Sequence, residues 1–460
     1  DSTVPKATGI GITFDHRIIA GSGNVTLSIA TNAGAAGTTV ENFGVGSSVT
    51  IAGRKASIDP TSDLNQGETY HISYPSGAFT NTGGDVSYVG TAYTFGVKPY
   101  WGYLWAMGYN ANGQLGVNNT TQYSSPIQIP GSTWKRINGP MSGFGQVMMG
   151  NKTDNTLWIW GVNTFGGLAQ NNTTNYSSPV QIPGTTWSDN FASGSSQSVA
   201  VKTDGTLWSW GYNEHGQLGL NNRTSYSSPV QIPGTTWSTT ADQCVAGGKN
   251  ASCMKTDGTL WSWGVNQYGE LGLNNKTYYS SPVQIPGTTW NYISKPYETF
   301  AAIKTDGALW VWGRNHKGQL GVNAAVDYSS PVQVPGTTWS KVVSGNHGSL
   351  STKTDGTLWA WGDNGEGTLG QNNRTSYSSP VQITSGTDWN DIALSNSTRY
   401  ASKTDGTLYG WGRGDGGSLF ATGIANANRS SPTQLQGGAT DFTGSLSACY
   451  GRALFNIRTS

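Results

Sequence analysis

The sequence predicts an all-β protein in which a β-sandwich precedes a seven-bladed β-propeller built from four-stranded blades. Three observations carry this prediction. A unit of about 50 residues returns seven times, short alternating runs fill the first hundred residues, and Gly or Pro interrupts every run long enough to form a helix. We therefore expect the sandwich at residues 1–97 and the propeller at residues 98–460.

The composition is that of a folded and nearly neutral chain. Only 11% of the 460 residues are charged, and 26 basic against 25 acidic residues leave a formal net charge of +1. Such a chain has no basic field to hold a phosphate backbone, which argues against a nucleic-acid partner. No apolar stretch approaches the roughly 20 residues that a membrane helix needs, so we expect no direct membrane insertion.

The first hundred residues contain alternating runs such as GIGITFD, GNVTLSIA, SSVTIAG and TYHISYP, separated by Gly, Asn and Ser turns. Short strands at this spacing predict a β-sandwich. The segments ITFDHRIIAGSGNVTL and LNQGETYHISYPSGAFTNTGG resemble the bacterial immunoglobulin-like domain of surface-layer proteins, which implies an immunoglobulin-like spacer. We expect DSTVPKATGI to be a linker into this domain and VKPYW to be a short, stiff hinge to the propeller.

The repeat is most regular in the middle of the chain. KTDGTLWSWGYNEHGQLGLNNRTSYSSPVQIPGTTW runs from Lys202 to Trp237 and returns, almost unchanged, from Lys255 to Trp290. Four weaker copies and a truncated one bring the number to seven, and the Gly that ends the aromatic strand recurs at spacings of 53, 50, 53, 49, 49 and 50 residues. Eighteen of the 19 tryptophans occupy repeat positions, so the tryptophan content belongs to the repeat.

Each repeat has the signals of about four strands. TLWSWG carries apolar groups on both faces, which predicts a strand in a sheet that is covered on both sides. KTDG supplies a tight turn into that strand, and YSSPVQIPG is bounded by Pro, which suits an edge strand. A further short strand, such as SVAVK, completes the unit. Four-stranded sheets that return seven times and stack face to face form a propeller.

The two ends of the repeat region predict how the ring closes. The first copy lacks the strands that should precede LWAMG, and the last copy is followed by TDFTGSLSACYGRALFNIR. That tail has the pattern of the missing half: an aromatic residue, a Gly turn and an alternating strand that ends in a basic residue. We expect the C-terminal strands to complete the first blade and so remove an open sheet edge.

The motif GYNEHGQLG, followed by SSPVQIPG at a spacing of about 50 residues, resembles the regulator of chromosome condensation repeat over residues 98–460. That family forms seven-bladed propellers closed by a split blade, and the resemblance implies the same fold here. The chain lacks the basic tail of the eukaryotic chromatin members, so exchange-factor and nucleosome-binding roles are not carried over. A bacterial secreted inhibitor of β-lactamase belongs to the same family, which shows that the scaffold can serve as a binder.

Residues with catalytic or metal-binding patterns are scarce. The five histidines, His16, His71, His215, His316 and His347, have no second His or Cys at metal-ligand spacing. The sequence contains no G-x-S-x-G nucleophile motif and no phosphate-binding loop ending in Gly-Lys-Ser/Thr. The Asp of KTDG recurs six times around the ring, which favours a turn former over a catalyst, and the matching Lys is expected to be solvated or to support the turn. We expect no enzyme activity, no metal and no cofactor.

The three cysteines fit neither a disulfide scaffold nor a zinc cluster. Cys244 and Cys253 lie nine residues apart, a spacing that suits neighbouring strands of one hairpin. Two small buried thiols are the favoured interpretation, and a disulfide between Cys244 and Cys253 is the alternative.

One pair of positions varies within the otherwise constant repeat. The two residues between Asn and Gly in the motif Asn-x-x-Gly differ in nearly every copy, and equivalent loops of a propeller form a ring at one mouth. Exposed loops that drift freely would show this variation, and so would a recognition surface. The candidate recognition residues are Asn112, Phe165, His215, Tyr268, His316, Lys317 and Glu366.

These features together predict a non-enzymatic structural and recognition protein that is exposed outside a cell. An immunoglobulin-like spacer that presents a propeller resembles phage virion appendages and decoration proteins, which implies contact with other virion proteins, with a host-surface glycan or receptor, or with copies of itself. The first alternative is a bacterial cell-surface or secreted adhesin, or a filament subunit. The second is a polysaccharide-degrading enzyme, which would need two carboxylates in one cleft.

Overall fold

The structure is a computed structural model that describes residues 10–30, 36–61, 69–84, 86–88, 93–96, 102–139, 147–294, 298–345, 348–394, 398–414, 428–435, 446–449 and 453–458. The chain divides into two compact units, Asp1–Tyr100 and Trp101–Ser460. Every regular element of the described residues is a β-strand. Residues 1–9 of the expected linker and the whole expected hinge, 97–101, lie outside the described residues.

The first unit is the predicted immunoglobulin-like sandwich. Its strands are β1 (Ile10–Thr13), β2 (Ile18–Ala20), β3 (Asn24–Ala30), β4 (Ala36–Gly44), β5 (Thr50–Ala52), β6 (Lys55–Ile58), β7 (Thr69–Ser73), β8 (Phe79–Asn81) and β9 (Tyr93–Gly96). They form sheets of order β4-β3-β7-β9, β1-β6-β5 and β2-β8, all with antiparallel pairing. Alternate side chains of these strands, such as Val25, Leu27 and Ile58, are buried in one shared apolar core.

The second unit contains seven four-stranded sheets, as the repeat predicts. Blades 1 to 4 are β10 (Tyr103–Gly108) and β11 (Tyr123–Gln128) with β36 (Leu446–Cys449) and β37 (Ala453–Arg458); β12 (Trp134–Asn138), β13 (Val147–Lys152), β14 (Leu157–Gly161) and β15 (Tyr176–Ile182); β16 (Trp187–Ser193), β17 (Gln197–Lys202), β18 (Leu207–Gly211) and β19 (Tyr226–Ile232); and β20 (Cys244–Ala246), β21 (Asn250–Met254), β22 (Leu260–Gly264) and β23 (Tyr279–Gln284). Blades 5 to 7 are β24 (Trp290–Ile293), β25 (Thr299–Lys304), β26 (Leu309–Gly313) and β27 (Tyr328–Gln333); β28 (Trp339–Ser344), β29 (Gly348–Lys353), β30 (Leu358–Gly362) and β31 (Tyr377–Ile383); and β32 (Trp389–Leu394), β33 (Thr398–Lys403), β34 (Leu408–Gly412) and β35 (Arg429–Gln434).

Blade 1 closes the ring in the way that the sequence predicts. Its sheet has the order β11-β10-β37-β36, so two strands come from each end of the repeat region. The antiparallel β10–β37 pair places Tyr103 opposite Arg458 and Gly108 opposite Ala453. The last strand of the chain therefore hydrogen-bonds to the first strand of the propeller, and neither is left as an open edge.

Strand order sets the inside and the outside of the ring. The first strand of a blade packs against the first strand of the next, as β16 does against β20 and β28 against β32, so these strands lie innermost. The fourth strand, with the sequence YSSPVQ in most blades, is the half-exposed outer edge of its sheet. The predicted edge position of this Pro-containing segment is confirmed, since an edge strand tolerates a missing N–H.

Tryptophans join one blade to the next. Trp210 of β18 is fully buried, lies 6.2 Å from the ring of Trp187 in its own blade, and donates from Nε1 to the carbonyl of Gly167 in the preceding blade at 2.9 Å. Trp263 makes the same bond to Gln217 at 2.9 Å. A large buried ring with a satisfied N–H supplies both apolar contact and a fixed register between sheets. The repeat therefore keeps Trp because it connects the blades.

The Asp-Gly turns are built as the sequence predicts. The Oδ1 of Asp204 accepts hydrogen bonds from the backbone N–H of Thr206 at 3.0 Å and from its hydroxyl at 2.7 Å. The hydroxyl of Thr206 accepts in turn from Trp208 Nε1 at 2.9 Å. Lys202 Nζ lies 4.4 Å from the ring centre of Trp208, so the repeated Lys contributes a cation–π contact in addition to supporting the turn.

The two cysteines of blade 4 form a disulfide, so the favoured expectation of two free thiols is wrong. Cys244 on β20 lies directly opposite Cys253 on β21, with the two Cα atoms 4.1 Å apart. The flanking pair Val245 and Ser252 is in register, and Gly247 N donates to Asn250 O at 2.8 Å, which makes the cysteine pair a non-hydrogen-bonded one. Side chains approach most closely at such pairs, and the spacing alone could not establish this register.

Candidate functional site

The propeller has two faces, because adjacent strands of a blade run in opposite directions. One face carries the Asp-Gly turns between the second and third strands, and we call it the turn face. The other carries the turns between the first and second strands and the long loops between the third and fourth strands, such as residues 212–225. We call this second side the loop face, and it holds all seven candidate recognition residues.

A buried Asn organises the long loop in each of blades 1 to 6. Asn213 is fully buried, accepts from Leu218 N at 2.9 Å, and donates from Nδ2 to the carbonyls of Asn222 at 3.1 Å and Thr224 at 2.9 Å. Because one amide satisfies three backbone groups, the loop keeps one conformation without a hydrophobic core of its own. The two variable residues that follow the Asn are directed outward, and Glu214 is exposed.

The long loops of blades 1 to 6 also contact the next blade. Asn221 adopts a φ of 56° and donates its backbone N–H to Ser280 O in the outer strand of blade 4 at 2.7 Å. Gly216, at a φ of 79°, lies so close to Ser280 that an added Cβ would approach its Cα to 2.7 Å. A loop held by the following blade is a rigid platform, and side chains on it need little ordering when a ligand binds.

The loop face holds a cleft of about 530 Å³ that extends over blades 2 to 5. Its wall contains an almost continuous row of rings. Phe165 lies 4.6 Å from Tyr212, Tyr212 lies 6.3 Å from His215, and His215 lies 6.3 Å from Tyr278, measured between ring centres. Phe165 and Tyr278 are exposed by 47% and 40%, which is unusual for large apolar side chains. These rings come from loops of three consecutive blades, so the packing of one blade against the next brings them together.

The far end of the cleft is polar and charged. Glu298 forms an ion pair with Arg314, whose guanidinium lies 4.7 Å from the ring centre of Tyr268. Glu270 lines the same end and is only 3% exposed, while its Oε2 accepts from Tyr268 N at 2.6 Å. Burial raises the pKa of Glu270 to about 7, and the nearby Glu298 carboxylate adds to this rise against the backbone donors.

The cleft is also lined by Lys249, on the turn between the first and second strands of blade 4. Partial burial is the main cause that lowers the pKa of His215, and the charges of Lys249 and Arg223 lower it further, against an opposing effect of Glu214. The lowered pKa favours the neutral form of His215, which can act as an aromatic and hydrogen-bonding group. The cleft combines apolar ring faces with a few polar groups, the usual make-up of a small-ligand site.

Three of the seven candidate residues, Phe165, His215 and Tyr268, line this cleft together. The other four occupy the equivalent turns of blades 1, 5 and 6 outside the cleft: Asn112, His316, Lys317 and Glu366. Glu366 accepts a hydrogen bond from Asn428 at 2.6 Å in the next blade, which is a structural role. His347 lies outside the described residues.

Sequence reasoning missed several residues of the cleft. Tyr212, Tyr278, Lys249 and Glu298 lie on segments that do not belong to the Asn-x-x-Gly motif, and only the fold brings them to it. Glu270 could have been noticed in the sequence, because it is acidic where three of the other copies of the repeat carry Gln.

A second set of charges lies at the innermost strands. Arg136 pairs with Asp242 at 2.6 Å, Lys135 pairs with Asp189 at 2.6 Å, and Lys341 pairs with Asp391. Burial alone would raise the pKa of Asp189, but the hydrogen bond to and charge of Lys135, together with Asn151 and Arg136, lower it overall. The Lys135–Asp189 and Lys341–Asp391 pairs join neighbouring blades, and the Arg136–Asp242 pair joins blade 2 to the segment that leads into blade 4. Each acid therefore has a base beside it, which favours a structural role for these pairs.

Within the part of the chain that the structure describes, no group of three or more His, Cys, Asp or Glu side chains is placed to hold a metal ion. No helix long and apolar enough to span a bilayer occurs among the same residues.

Fold and site together define a class: a disulfide-containing, seven-bladed propeller with a cleft on its loop face, which follows an immunoglobulin-like domain in the chain. The model of the RCC1-like domain matches residues 151–453, and that of the regulator of chromosome condensation (RCC1) repeat matches residues 102–138. The model of a bacterial Ig-like domain matches residues 1–97. The first match covers more than half of the chain, and the protein belongs to the RCC1-like domain family.

Solved structures agree with this assignment at the level of the fold. Prp20p from Saccharomyces cerevisiae, described with its binding to Gsp1p and histones, is 19% identical with a TM-score of 0.68, over 78% of this chain and 92% of that one. Human WBSCR16 is 17% identical with a TM-score of 0.66, over 78% of this chain and 99% of that one. Identities this low show a shared propeller and carry no function across.

Proposed function

We propose that this protein is a non-enzymatic recognition protein exposed outside a cell, which binds a glycan in the cleft of the loop face. The observation that carries the proposal is the row of rings that Phe165, Tyr212, His215 and Tyr278 form beside a polar end. Sugar rings present apolar C–H faces and hydroxyl edges, so they suit aromatic walls with a few hydrogen-bonding groups.

Two further features support a location outside the cell. The Cys244–Cys253 disulfide is of the kind that persists in oxidising surroundings. The low charge and the immunoglobulin-like domain suit a spacer that presents a propeller on a surface. A virion surface is the setting we favour, as tail fibre, appendage or capsid decoration, and a bacterial surface adhesin or filament subunit is the alternative. Mass spectrometry of purified virions and of bacterial envelopes tests this choice, because the protein should be found in one and not the other.

The glycan proposal is tested by a combined variant, Phe165→Ala, His215→Ala and Tyr268→Ala, on an array of bacterial envelope glycans. All three side chains are at least partly exposed, so we expect the variant to fold and to lose binding at least tenfold. The matched control is His316→Ala with Lys317→Ala, which changes an equivalent turn outside the cleft and should leave binding unchanged. Equal binding by the wild type and the triple variant would refute the proposal.

A second candidate, a polysaccharide-degrading enzyme, has one observation in its favour. Glu270 and Glu298 line the same cleft, and burial raises the pKa of Glu270 to about 7, which is the range of a general acid. The ion pair with Arg314 counts against it, because it holds the second carboxylate. Release of reducing ends from envelope polysaccharide by the wild type and not by Glu270→Gln would establish this activity in place of simple binding.

A further inference from the structure

The long loop of blade 4 differs from the other described long loops in carrying an acidic residue, Glu270, two positions after Tyr268. The equivalent residues in the described loops are Gln114, Gly167, Gln217, Gln319 and Thr368. None of these is charged, and the acidic side chain occurs only in the loop that forms the polar end of the cleft. The Glu at position 270 is therefore associated with the cleft, and the repeat itself does not require an acidic residue there.

The loop itself does not require the acid. Gln217 Oε1 accepts from His215 N at 2.9 Å, and Glu270 Oε2 accepts from Tyr268 N at 2.6 Å, so amide and carboxylate do the same structural work. The difference between Gln217 and Glu270 lies in the second polar atom of the side chain, the one that does not accept this backbone hydrogen bond. Gln217 carries a buried NH₂ group that has no partner among the described residues, whereas Glu270 places a carboxylate oxygen there. The exchange replaces a donor by an acceptor that can carry a negative charge.

Glu270 also has no cation within ion-pair distance in the described part of the chain. Arg314, which contacts the Tyr268 ring, already pairs with Glu298. Lys249 also lines the cleft, and its charge acts on His215. A carboxyl group that is buried this deeply and not neutralised is costly, and a positive group delivered by a ligand would lower that cost.

The aromatic walls of the cleft also favour a positively charged ligand. Tyr268, Tyr212 and Tyr278 offer ring faces with negative electrostatic potential, and such faces attract cationic nitrogen. Arg314 already binds the Tyr268 ring in this way on the protein side. Aromatic faces next to a carboxylate are a suitable site for an ammonium group.

We propose that the cleft selects a saccharide that carries a cationic nitrogen, and that Glu270 is its counter-ion. This inference rests on the proposed function and specifies its ligand: an amino sugar whose amine is free, in contrast to the neutral N-acetylated form. Tyr268 and its neighbours hold the sugar ring, and the Glu270 carboxylate binds the ammonium.

Proton linkage follows from the site. The pKa of Glu270 is raised to about 7 without ligand, and a bound cation lowers it, so binding near pH 7 releases a proton. The groups that act on Glu270 are the Glu298 carboxylate and the backbone donors of its own loop. Affinity for a ligand of fixed positive charge should therefore rise as the pH increases through about 7 and level off above it.

Isothermal titration calorimetry with three trisaccharides tests the inference. The first is built from glucosamine, the second from N-acetylglucosamine, and the third from N,N,N-trimethylglucosamine, whose positive charge does not depend on pH. We expect the wild type to bind the cationic forms about tenfold more tightly than the N-acetylated one. Glu270→Gln, which restores the residue of three other loops, should lose this preference and the pH dependence while it still binds the N-acetylated form. Gln114→Glu makes the reverse change outside the cleft and should alter neither.

The outcomes separate the two proposals. If the wild type binds all three ligands equally, or prefers the neutral one, the cationic ligand is refuted and glycan binding stands. If Glu270→Gln keeps the preference, Glu270 is not the counter-ion. If no trisaccharide binds and the envelope array is also negative, the proposed function fails together with the inference.

Discussion

The two faces of the propeller are built by one repeat but differ in what they keep constant. On the turn face, the same Asp, Thr, Trp and Lys contacts recur from blade to blade. On the loop face, the buried Asn and its hydrogen bonds recur, but the two residues after it do not. Variation is therefore concentrated in exposed side chains that the fold uses little, with Glu366, which accepts a hydrogen bond from Asn428 of the next blade, as an exception.

This contrast separates scaffold from surface. A buried group that satisfies several backbone atoms cannot change without a loss of stability, whereas an exposed neighbour can change freely and so take on a binding role. Four substitutions test this contrast, and we expect their effects on the free energy of unfolding to decrease in the order given below.

The largest effect is expected from Trp263→Ala, which removes a blade-to-blade contact. The side chain is fully buried and its N–H bonds Gln217 O at 2.9 Å. We expect a loss of about 3–5 kcal/mol in the free energy of unfolding, measured by denaturant titration. Trp261→Ala, on the half-buried side of the same strand, is the control and should cost clearly less. Equal losses would show that the scaffold does not depend on the inter-blade ring.

A smaller loss is expected from Asn266→Ala in the loop that carries Tyr268. Asn266 accepts from Leu271 N at 2.9 Å and donates to Asn275 O at 2.9 Å and Thr277 O at 3.1 Å. Leaving such buried groups unsatisfied costs about 1–3 kcal/mol, and the cleft should lose its ligand affinity as well. Gln267→Ala, an exposed neighbour, should leave stability within about 0.5 kcal/mol. A stable Asn266→Ala protein with an intact cleft would contradict the role of this Asn.

Asp257→Asn tests the turn face. We expect it to lower the free energy of unfolding by at most about 1 kcal/mol, because the Asp257 carboxylate is exposed. Hydrogen bonds from Thr259 are the main cause that lowers the pKa of Asp257. A lowered folded-state pKa means that its stabilisation is present above the unfolded value of about 3.9 and is lost as the pH falls through the folded-state pKa. Unfolding curves between pH 7 and pH 2.5 should show the wild type and Asp257→Asn converging in acid. A constant difference would show that the charge plays no part.

The smallest effect is expected from His316→Ala with Lys317→Ala on the loop face outside the cleft. Both side chains are exposed, so the free energy of unfolding should stay within about 0.5 kcal/mol of the wild type. Thermal unfolding monitored by tryptophan fluorescence is sufficient to test this. A loss of 2 kcal/mol or more, on the order of a core change, would remove the distinction between scaffold and surface.

Much of the fold could be predicted because the repeat shows it many times over. The position of Gly108 and its six counterparts set the number of blades, and the half-unit at each end indicated the split first blade. The disulfide could not be predicted, because a one-residue slip in the β20–β21 register would place Cys244 and Cys253 on opposite faces.

The site was harder to predict than the fold. The variable turns showed which residues face outward, but not that Phe165, His215 and Tyr268 form one cleft while Lys317 stands apart. That distinction depends on loops from neighbouring blades, including Tyr278 and Glu298, which no periodic pattern connects to the motif.

The pairing of β10 with β37 has a mechanical consequence. Tyr103, where the propeller begins, lies opposite Arg458 near its end, so both ends of the ring emerge from the same end of one strand pair. A pulling force applied through the two ends would therefore load the β10–β37 hydrogen bonds in unzipping geometry. The bonds would break one after another, whereas shear geometry would load them all together. A single-molecule pulling experiment should therefore see blade 1 give way first, at low force, while the other six blades are still folded.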